Sequence, residues 1–255
     1  GLVRSHKIKN AINKLDSIFT QSEYTKKFLI KKTKLKKNQI INSGHLYYNN
    51  WSLVKPINKK IKKIGIALTN EYILRRYNDN NYLKNLYQAN ENVNFKKNHW
   101  RLKQMNFDQF YFCLIFDLIK KLSKNYQIDI RTHVVDSESD FKFLENKNIK
   151  MSNKKLTATN WVLKQDLIIS SFSFMNVDSY INRKPHISLS KIIPNEFYFK
   201  AYKTFTYKDF DELNSFMPKN IEELLRLIKK TKFKRNKKLD HSLNKFFSFP
   251  YKERP

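Results

Sequence analysis

The segment from Asp166 to Leu189 reads DLIISSFSFMNVDSYINRKPHISL. Leu167, Ile168 and Ile169 form an apolar run that ends in Ser170, Ser171 and Ser173. A short amphipathic stretch carrying Asp178 follows, then Arg183-Lys184-Pro185, then a second apolar run. Read physically, the order is strand, polar turn, helix, basic turn, strand. Short apolar runs bounded by polar turns are buried strands. A strand–helix–strand unit brings its second strand back parallel to the first. Ser171, Ser173 and Asp178 then lie at the carboxyl edge of a parallel sheet, where open α/β sheets bind ligands. Hydroxyls beside a helix start can bond phosphate oxygens, and a carboxylate one or two turns further on can accept from ribose hydroxyls. The same residues also fit a polar strand end with a helix cap.

Working outward, the pattern repeats. Strands are expected at 64–68, 128–134, 166–170 and 186–189, alternating with helices at 107–124, 138–144, 175–182 and 220–230. The clearest helix places Phe107, Phe110, Tyr111, Leu114, Ile115, Leu118, Ile119 and Leu122 at three- and four-residue spacing. Alternation of this kind implies an α/β fold: a Rossmann-like parallel sheet with helices on both faces. Upstream, 17–20 and 39–42 read as short strands around a helix capped by Ser22, with Tyr24, Phe28 and Leu29 on one face. Residues 49–62 read as a linker, 159–164 as a short helix and 239–247 as a final one. Residues 70–100 are polar and Asn-rich with weak periodicity.

Two further groups carry chemistry. Arg131-Thr132-His133 ends the central strand, where a guanidinium and an imidazole can bind a diphosphate. Gly44-His45 ends the first α/β unit, where a histidine can serve as acid, base or phosphate contact. An exposed arginine with a satisfied surface histidine, and a turn histidine, fit the same residues. No His/Cys/Asp/Glu cluster has metal-ligand spacing, and no P-loop, GxGxxG or G-x-S-x-G occurs.

Composition sets bounds. The 255 residues are 40% hydrophobic and 15% aromatic, enough for a buried core. Cys113 stands alone, which excludes an internal disulfide, suits a cytoplasmic location and suggests a small core residue. No apolar run approaches the roughly 20 residues of a membrane span, and no secretory signal is visible. The chain starts at Gly1 and is expected to lack upstream sequence. A net charge of +29 favours an anionic partner: nucleic acid, an acidic membrane surface or a phosphorylated substrate. The same lysine excess, accompanied by abundant Asn and Ile, also fits plain compositional bias. The cations are spread over 31–37, 59–63 and 229–238 and no nucleic-acid motif accompanies them, which disfavours a dedicated nucleic-acid module.

In order, these pieces resemble the carboxy-terminal half of a GT-B-type glycosyltransferase. The closest likeness is to bacterial surface-carbohydrate (capsule and lipopolysaccharide) biosynthesis proteins, related in pattern to glycerophosphate and sialic-acid polymer transferases. Asp16-Ser17-Ile18-Phe19 resembles the D-x-I element, and Ser43-Gly44-His45-Leu46 stands at the G-x-P-R-like turn. Residues 64–68 resemble the strand that opens the second domain. Arg131-Thr132-His133-Val134 resembles R-P-H-P without its prolines. Ser173-Phe174 through Asp178-Ser179 to Asn182-Arg183-Lys184-Pro185 resembles S-T-x-x-x-E-A-x-x-x-G-K-P, with Asp for Glu, Ser for Ala, Phe for Thr, and Asn182 taken at the glycine. The likeness covers roughly 12–249, and 70–105 match nothing.

The resemblance implies a division into 1–55, the remnant of an acceptor-side domain with its linker, and 56–255, a nucleotide-sugar-binding Rossmann-like domain. It implies a metal-independent transferase with no cofactor, whose donor is a nucleotide-activated sugar or polyol phosphate and whose acceptor is a glycan or lipid-linked molecule. Arg131 and His133 would hold the diphosphate, Ser171, Ser173 and Asp178 would contact the nucleotide, and His45 and His133 would be the catalytic positions. The setting would be cytoplasmic, with peripheral contact to an anionic inner membrane. A basic nucleic-acid-binding protein and a catalytically silent relative are the rival readings.

Overall fold

The structure is a computed structural model, and it describes residues 12–20, 22–43, 60–68, 95–133, 138–152, 155–171, 173, 175–194 and 214–246. The chain forms two compact units, one of Gly1–Val54 with Asn236–Pro255, the other of Lys55–Arg235.

The first unit holds β1 (Ile18–Thr20), α1 (Glu23–Lys32) and β2 (Ile40–Asn42), with Ile18 opposite Ile40 in a parallel pair. Ser22 starts α1 because its Oγ accepts the Thr25 N–H at 3.0 Å. Glu23 lies in the first turn and Lys31 and Lys32 in the last, each matching the helix dipole. Leu29, Leu35 and Ile40 make the core. Leu29 alone of the expected apolar stripe is buried. Tyr24 and Phe28 are exposed, because the two short strands offer only one helix-facing row to cover. A helix near the carboxyl end, Lys237–Phe246, packs against α1 in this same unit.

The second unit contains β3 (Lys63–Ala67), α2 (Phe95–Leu122), β4 (Gln127–Arg131), β5 (Ile149–Met151), α3 (Ala158–Leu163), β6 (Leu167–Ser170), α4 (Met175–Ile181), β7 (His186–Ser188) and α5 (Ile221–Ile228); the terminal helix of the first unit is α6. The five strands are all parallel, in the order β5-β4-β3-β6-β7. The order reverses between β3 and β6, as in doubly wound sheets. The expected α/β class and Rossmann-like parallel sheet are present, and a two-stranded parallel α/β unit precedes the sheet in the chain.

Strand alternation divides the core. Ile64, Ile66, Ile128, Ile130, Leu167, Ile169 and Ile187 pack against α2, α5 and Phe141. Ala67 and Ile168 point the other way, toward Trp161 and Val162 of α3. Gly65 lies on that second face: a Cβ there would meet the Trp161 ring at 2.8 Å and Gln165 Cγ at 2.7 Å. The glycine is what lets an indole lie directly on the sheet.

The short helix expected over 138–144 is present as a 3₁₀ helix, Glu138–Leu144, with Phe141 inward and Phe143 in solvent. Two local readings change. β5 was not anticipated, since three residues are too few to show a period. Cys113 is exposed, not core, because it falls about 200° around α2 from buried Tyr111. The left-handed residue ending α4 is Arg183 (φ 56°). The Lys184 N–H reaches the Ser179 carbonyl and the Arg183 N–H the Tyr180 carbonyl, the paired bonds of a Schellman turn, whose penultimate position requires positive φ.

Arg183 tolerates that backbone because its buried guanidinium lies 5.7 Å from the Tyr180 ring and 5.4 Å from the Phe233 ring. Arg183→Gly and Arg183→Ala both lose this stack, but only glycine relieves the backbone. The glycine variant is expected to be the more stable of the two by about 1 kcal/mol in urea unfolding.

Candidate functional site

At the carboxyl edge the last paired rows are Ala67 with Arg131 and Ser170 with Ser188. His133 follows β4 and Ser173 follows β6. The two strands run parallel in one sheet, so both residues stand at the same end of it.

Arg131 is the best-defined member. Its Nη2 donates to the Leu156 carbonyl at 3.0 Å, and its guanidinium lies 5.8 Å from the Trp161 ring centre. Its Nη1 is buried and has no hydrogen-bond partner among the described residues. Burial pulls the guanidinium pKa below its ordinary value, while Asp178, Asp129 and Glu138 oppose that shift in decreasing order. Arg131 and Asp178 therefore lie within charge–charge range, although they come from different strand–helix crossovers.

Asp129 holds the platform under Arg131. It accepts from Trp161 Nε1 at 2.8 Å and Gln165 Nε2 at 3.1 Å, and it pairs with Lys63 Nζ at 3.0 Å. The acid thus fixes the indole on which the guanidinium rests.

Asp178, on α4, is only 4% exposed. Ser171 is fully buried just past β6. Ser173 is half-buried, and its Oγ accepts the Met175 N–H at 3.3 Å, capping α4. His133 is half-buried. His45 lies outside the described residues. The structure sets Arg131 and Asp178 within charge–charge range, places His133 two residues beyond β4, and leaves Ser171 and Ser173 on the connection into α4.

His186 went unnoticed in the sequence, hidden at the start of an apolar run. It is buried, with Nε2 2.9 Å from Ser170 Oγ and Nδ1 bonded to Ser215 Oγ. Burial pushes its pKa down to about 3, so the ring is neutral at ordinary pH. Beside it, Phe216 adds a parallel bridge to Ile187 on the outer edge of β7. A histidine flanked by Pro185 and Ile187 in a strand reading was the available signal. Among the described residues, no group of three His, Cys, Asp or Glu side chains is placed to hold a metal ion, and no helix is long and apolar enough to cross a membrane.

Sheet order and site together define a class: a doubly wound α/β unit with its polar residues gathered at the carboxyl edge beside the point of strand reversal. Among solved structures the chain is similar to the wall teichoic acid polymerase TagF, with TM-score 0.44, 14% identity, and coverage of 98% of this chain and 60% of that one. A TagF variant soaked with CDPG gives TM-score 0.42 at 17% identity, covering 95% and 57%. The UDP-GlcNAc 2-epimerase of Methanocaldococcus jannaschii, in complex with UDP-GlcNAc and UDP, gives TM-score 0.39 at 15% identity, covering 86% and 55%. The chain thus spans about 60% of the length of the polymerase. No protein-family model and no curated protein sequence matches it.

Proposed function

We propose that this chain is a glycosyltransferase-like protein of surface polysaccharide biosynthesis. Its Lys55–Arg235 unit binds the donor, a nucleotide-activated sugar or polyol phosphate, at the carboxyl edge of the sheet. The observation that supports the reading is Arg131 at the carboxyl end of β4, with a buried Nη1 that has no hydrogen-bond partner among the described residues and with Asp178 within charge–charge range. A cation for phosphate oxygens and an acid for a ribose hydroxyl, a short span apart, are the minimum needed to read a nucleotide diphosphate. His133 adds a donor to the phosphates, and Ser171 and Ser173 line the same connection. In transfer, the nucleotide leaves with growing phosphate charge, and stabilising that charge is the domain's main contribution to rate. No cofactor or metal enters this scheme. His45 is the proposed acid–base group on the acceptor side, and the acceptor is a glycan or lipid-linked molecule reached from the cytoplasmic face of an anionic membrane.

Calorimetric titration with UDP-, CMP- and CDP-linked donors tests this. One donor class is expected to bind, with affinity falling at least about tenfold in Asp178→Asn and in His133→Ala, the range expected for a charge-assisted hydrogen bond. Absence of heat with every donor, or unchanged affinity in both variants, sinks the proposal.

A specific observation favours a second reading, a catalytically silent relative. Asp178 is nearly buried, and Arg131 is already countered by three carboxylates, which an incoming diphosphate must displace. Donor binding without turnover, when a full acceptor set is supplied, selects this reading.

A further inference from the structure

On the α3 face of the sheet, β3 and β4 carry charge in a line from one edge to the other. Strand alternation puts Lys63, Gly65 and Ala67 of β3 on that face, beside Asp129 and Arg131 of β4. The order from the amino edge is therefore cation, anion, cation. Lys63 Nζ lies 3.0 Å from Asp129 Oδ2. The main chain of the lysine is clamped: its N–H donates to Asp166 Oδ2 at 2.9 Å, and its carbonyl accepts the Asp166 N–H at 2.9 Å. A stem anchored at its root loses less entropy in keeping the ammonium on Asp129. Side-chain exposure is 34% for Lys63 and 13% for Asp129, so water and salt screen the pair incompletely. The other two groups that donate to Asp129, Trp161 Nε1 and Gln165 Nε2, are neutral. They solvate the carboxylate and leave its charge in place, whereas Lys63 cancels it.

Building on the donor reading, and dependent on it for the identity of the ligand, we propose that Lys63 balances charge at the donor edge: by neutralising Asp129, it leaves the Arg131 guanidinium available to an anion. Asp129 stands two residues before Arg131 on one strand, about 7 Å away between Cα atoms. Its field reaches the guanidinium, second to that of Asp178. An uncompensated carboxylate at that range holds the cation for itself and repels an incoming phosphate. A carboxylate already paired does much less of either. Lys63 sits four rows from Arg131, about 13 Å along the strands, and its ammonium is already on Asp129. It therefore acts through that acid rather than on the ligand, which makes it a positioning residue. In the sequence it is one lysine of the run Lys59-Lys60-Ile61-Lys62-Lys63, and nothing local singles it out.

The test is calorimetry on the whole chain as wild-type, Lys63→Met, Lys63→Arg and Lys63→Met/Asp129→Asn. Each is titrated with UDP-, CMP- and CDP-linked donors and with inorganic pyrophosphate, which needs the cation but no ribose contact. Lys63→Met keeps the aliphatic stem and removes the charge. It is expected to weaken anion binding about fivefold, the effect on a dianion of one uncompensated charge in a partly solvated site. Lys63→Arg should stay within about twofold of wild-type. The double variant exchanges a neutral pair of charges for a pair of neutral groups. Asparagine still accepts from Trp161 Nε1, and Gln165, whose Oε1 has no hydrogen-bond partner among the described residues, can turn its amide to receive the new N–H. Affinity in the double variant should therefore recover to within about twofold of wild-type. A lysine with a merely structural role predicts the opposite, since a second lost contact cannot restore binding. Unchanged affinity in Lys63→Met, or a double variant that binds no tighter than Lys63→Met, overturns the proposal. Donors that bind wild-type and Lys63→Met equally leave the donor reading standing without it. Pyrophosphate binding that depends on Lys63, with no donor bound, does the reverse, and a wild-type protein that binds neither ligand removes both.

Discussion

Replacing Gly65 with alanine is expected to cost about 2–3 kcal/mol of stability, the upper range for overpacking a filled core. A β-carbon at this position would come within 2.9 Å of two atoms of the Trp161 ring and 2.7 Å of Gln165 Cγ. Gln165 is fully buried, and its Nε2 donates to Asp129 and to the Trp161 carbonyl, each at 3.1 Å. The indole is held likewise: it is fully buried, and its Nε1 is bonded to Asp129 at 2.8 Å. Moving the ring breaks that bond, and keeping it forces β3 away from α3. Either response disturbs the surface on which Arg131 rests, so donor affinity should fall with stability. Urea unfolding measures the first effect. In a Trp161→Leu background the colliding ring atoms are gone and only the Gln165 Cγ contact remains, so Gly65→Ala should then cost less than in the wild-type. A cost below about 0.5 kcal/mol in the wild-type background, or equal costs in both, would show that the close approach is not what the glycine serves.

Gly65 also shows what was legible in the chain and what was not. Strands β3, β4, β6 and β7 announce themselves, because residues such as Ile64, Ile66, Ile130 and Ile169 must be apolar to face a covered sheet. The helix over Phe107–Leu122 is equally clear from its spacing. A glycine amid those isoleucines was a visible sign of close backbone approach, yet nothing local names its partner, because Trp161 lies 96 positions later. The candidate site divides in the same way. Arg131 and His133 stand out as polar residues closing a buried strand, and Asp178 as an acid early in a helix. Their arrangement depends on register between elements tens of residues apart. That register brings Asp129 beneath Trp161 and Trp161 beneath Arg131. The left-handed backbone at Arg183 is hidden for another reason: side-chain stacking there offsets a strain that composition alone would assign to glycine or asparagine.

These dependencies bear on the proposed chemistry. Arg131 is supported from below by an aromatic face and a carbonyl, and countered from the side by acids. An arginine so placed is pre-organised, which lowers the entropy cost of binding an anion, but it is not electrostatically bare. Under the proposed donor reading, a diphosphate competes with Asp178 for this guanidinium, and a donor that binds would satisfy Asp178 through a hydroxyl near its phosphates. A ribose joined to a diphosphate has that form, and inorganic pyrophosphate does not, so the reading expects discrimination between the two.

Acidification is expected to destabilise the fold through His186 by about 2 kcal/mol between pH 7 and pH 5. The ring is buried and neutral, with its pKa pushed to about 3, against about 6.5 in an unfolded chain. Below pH 6.5 the unfolded state takes up a proton that the folded state refuses, so stability falls as pH falls. The contribution is fully present above about pH 7, erodes at about 1.36 kcal/mol per pH unit through the window, and levels off below about pH 3. The structural consequence is local. The imidazole bridges Ser170 at the end of β6 and Ser215 beside Phe216, so protonation strains the junction of β6, β7 and the 214–216 bridge. His186→Gln keeps a hydrogen-bonding side chain there and removes the titration. It should be less stable than wild-type at pH 7, and the gap should narrow by about 2 kcal/mol at pH 5. Carboxylates elsewhere titrate in both proteins and cancel in the comparison. A gap that stays constant from pH 7 to pH 5 would mean that the folded protein admits the proton, and that the junction around His186 opens to water.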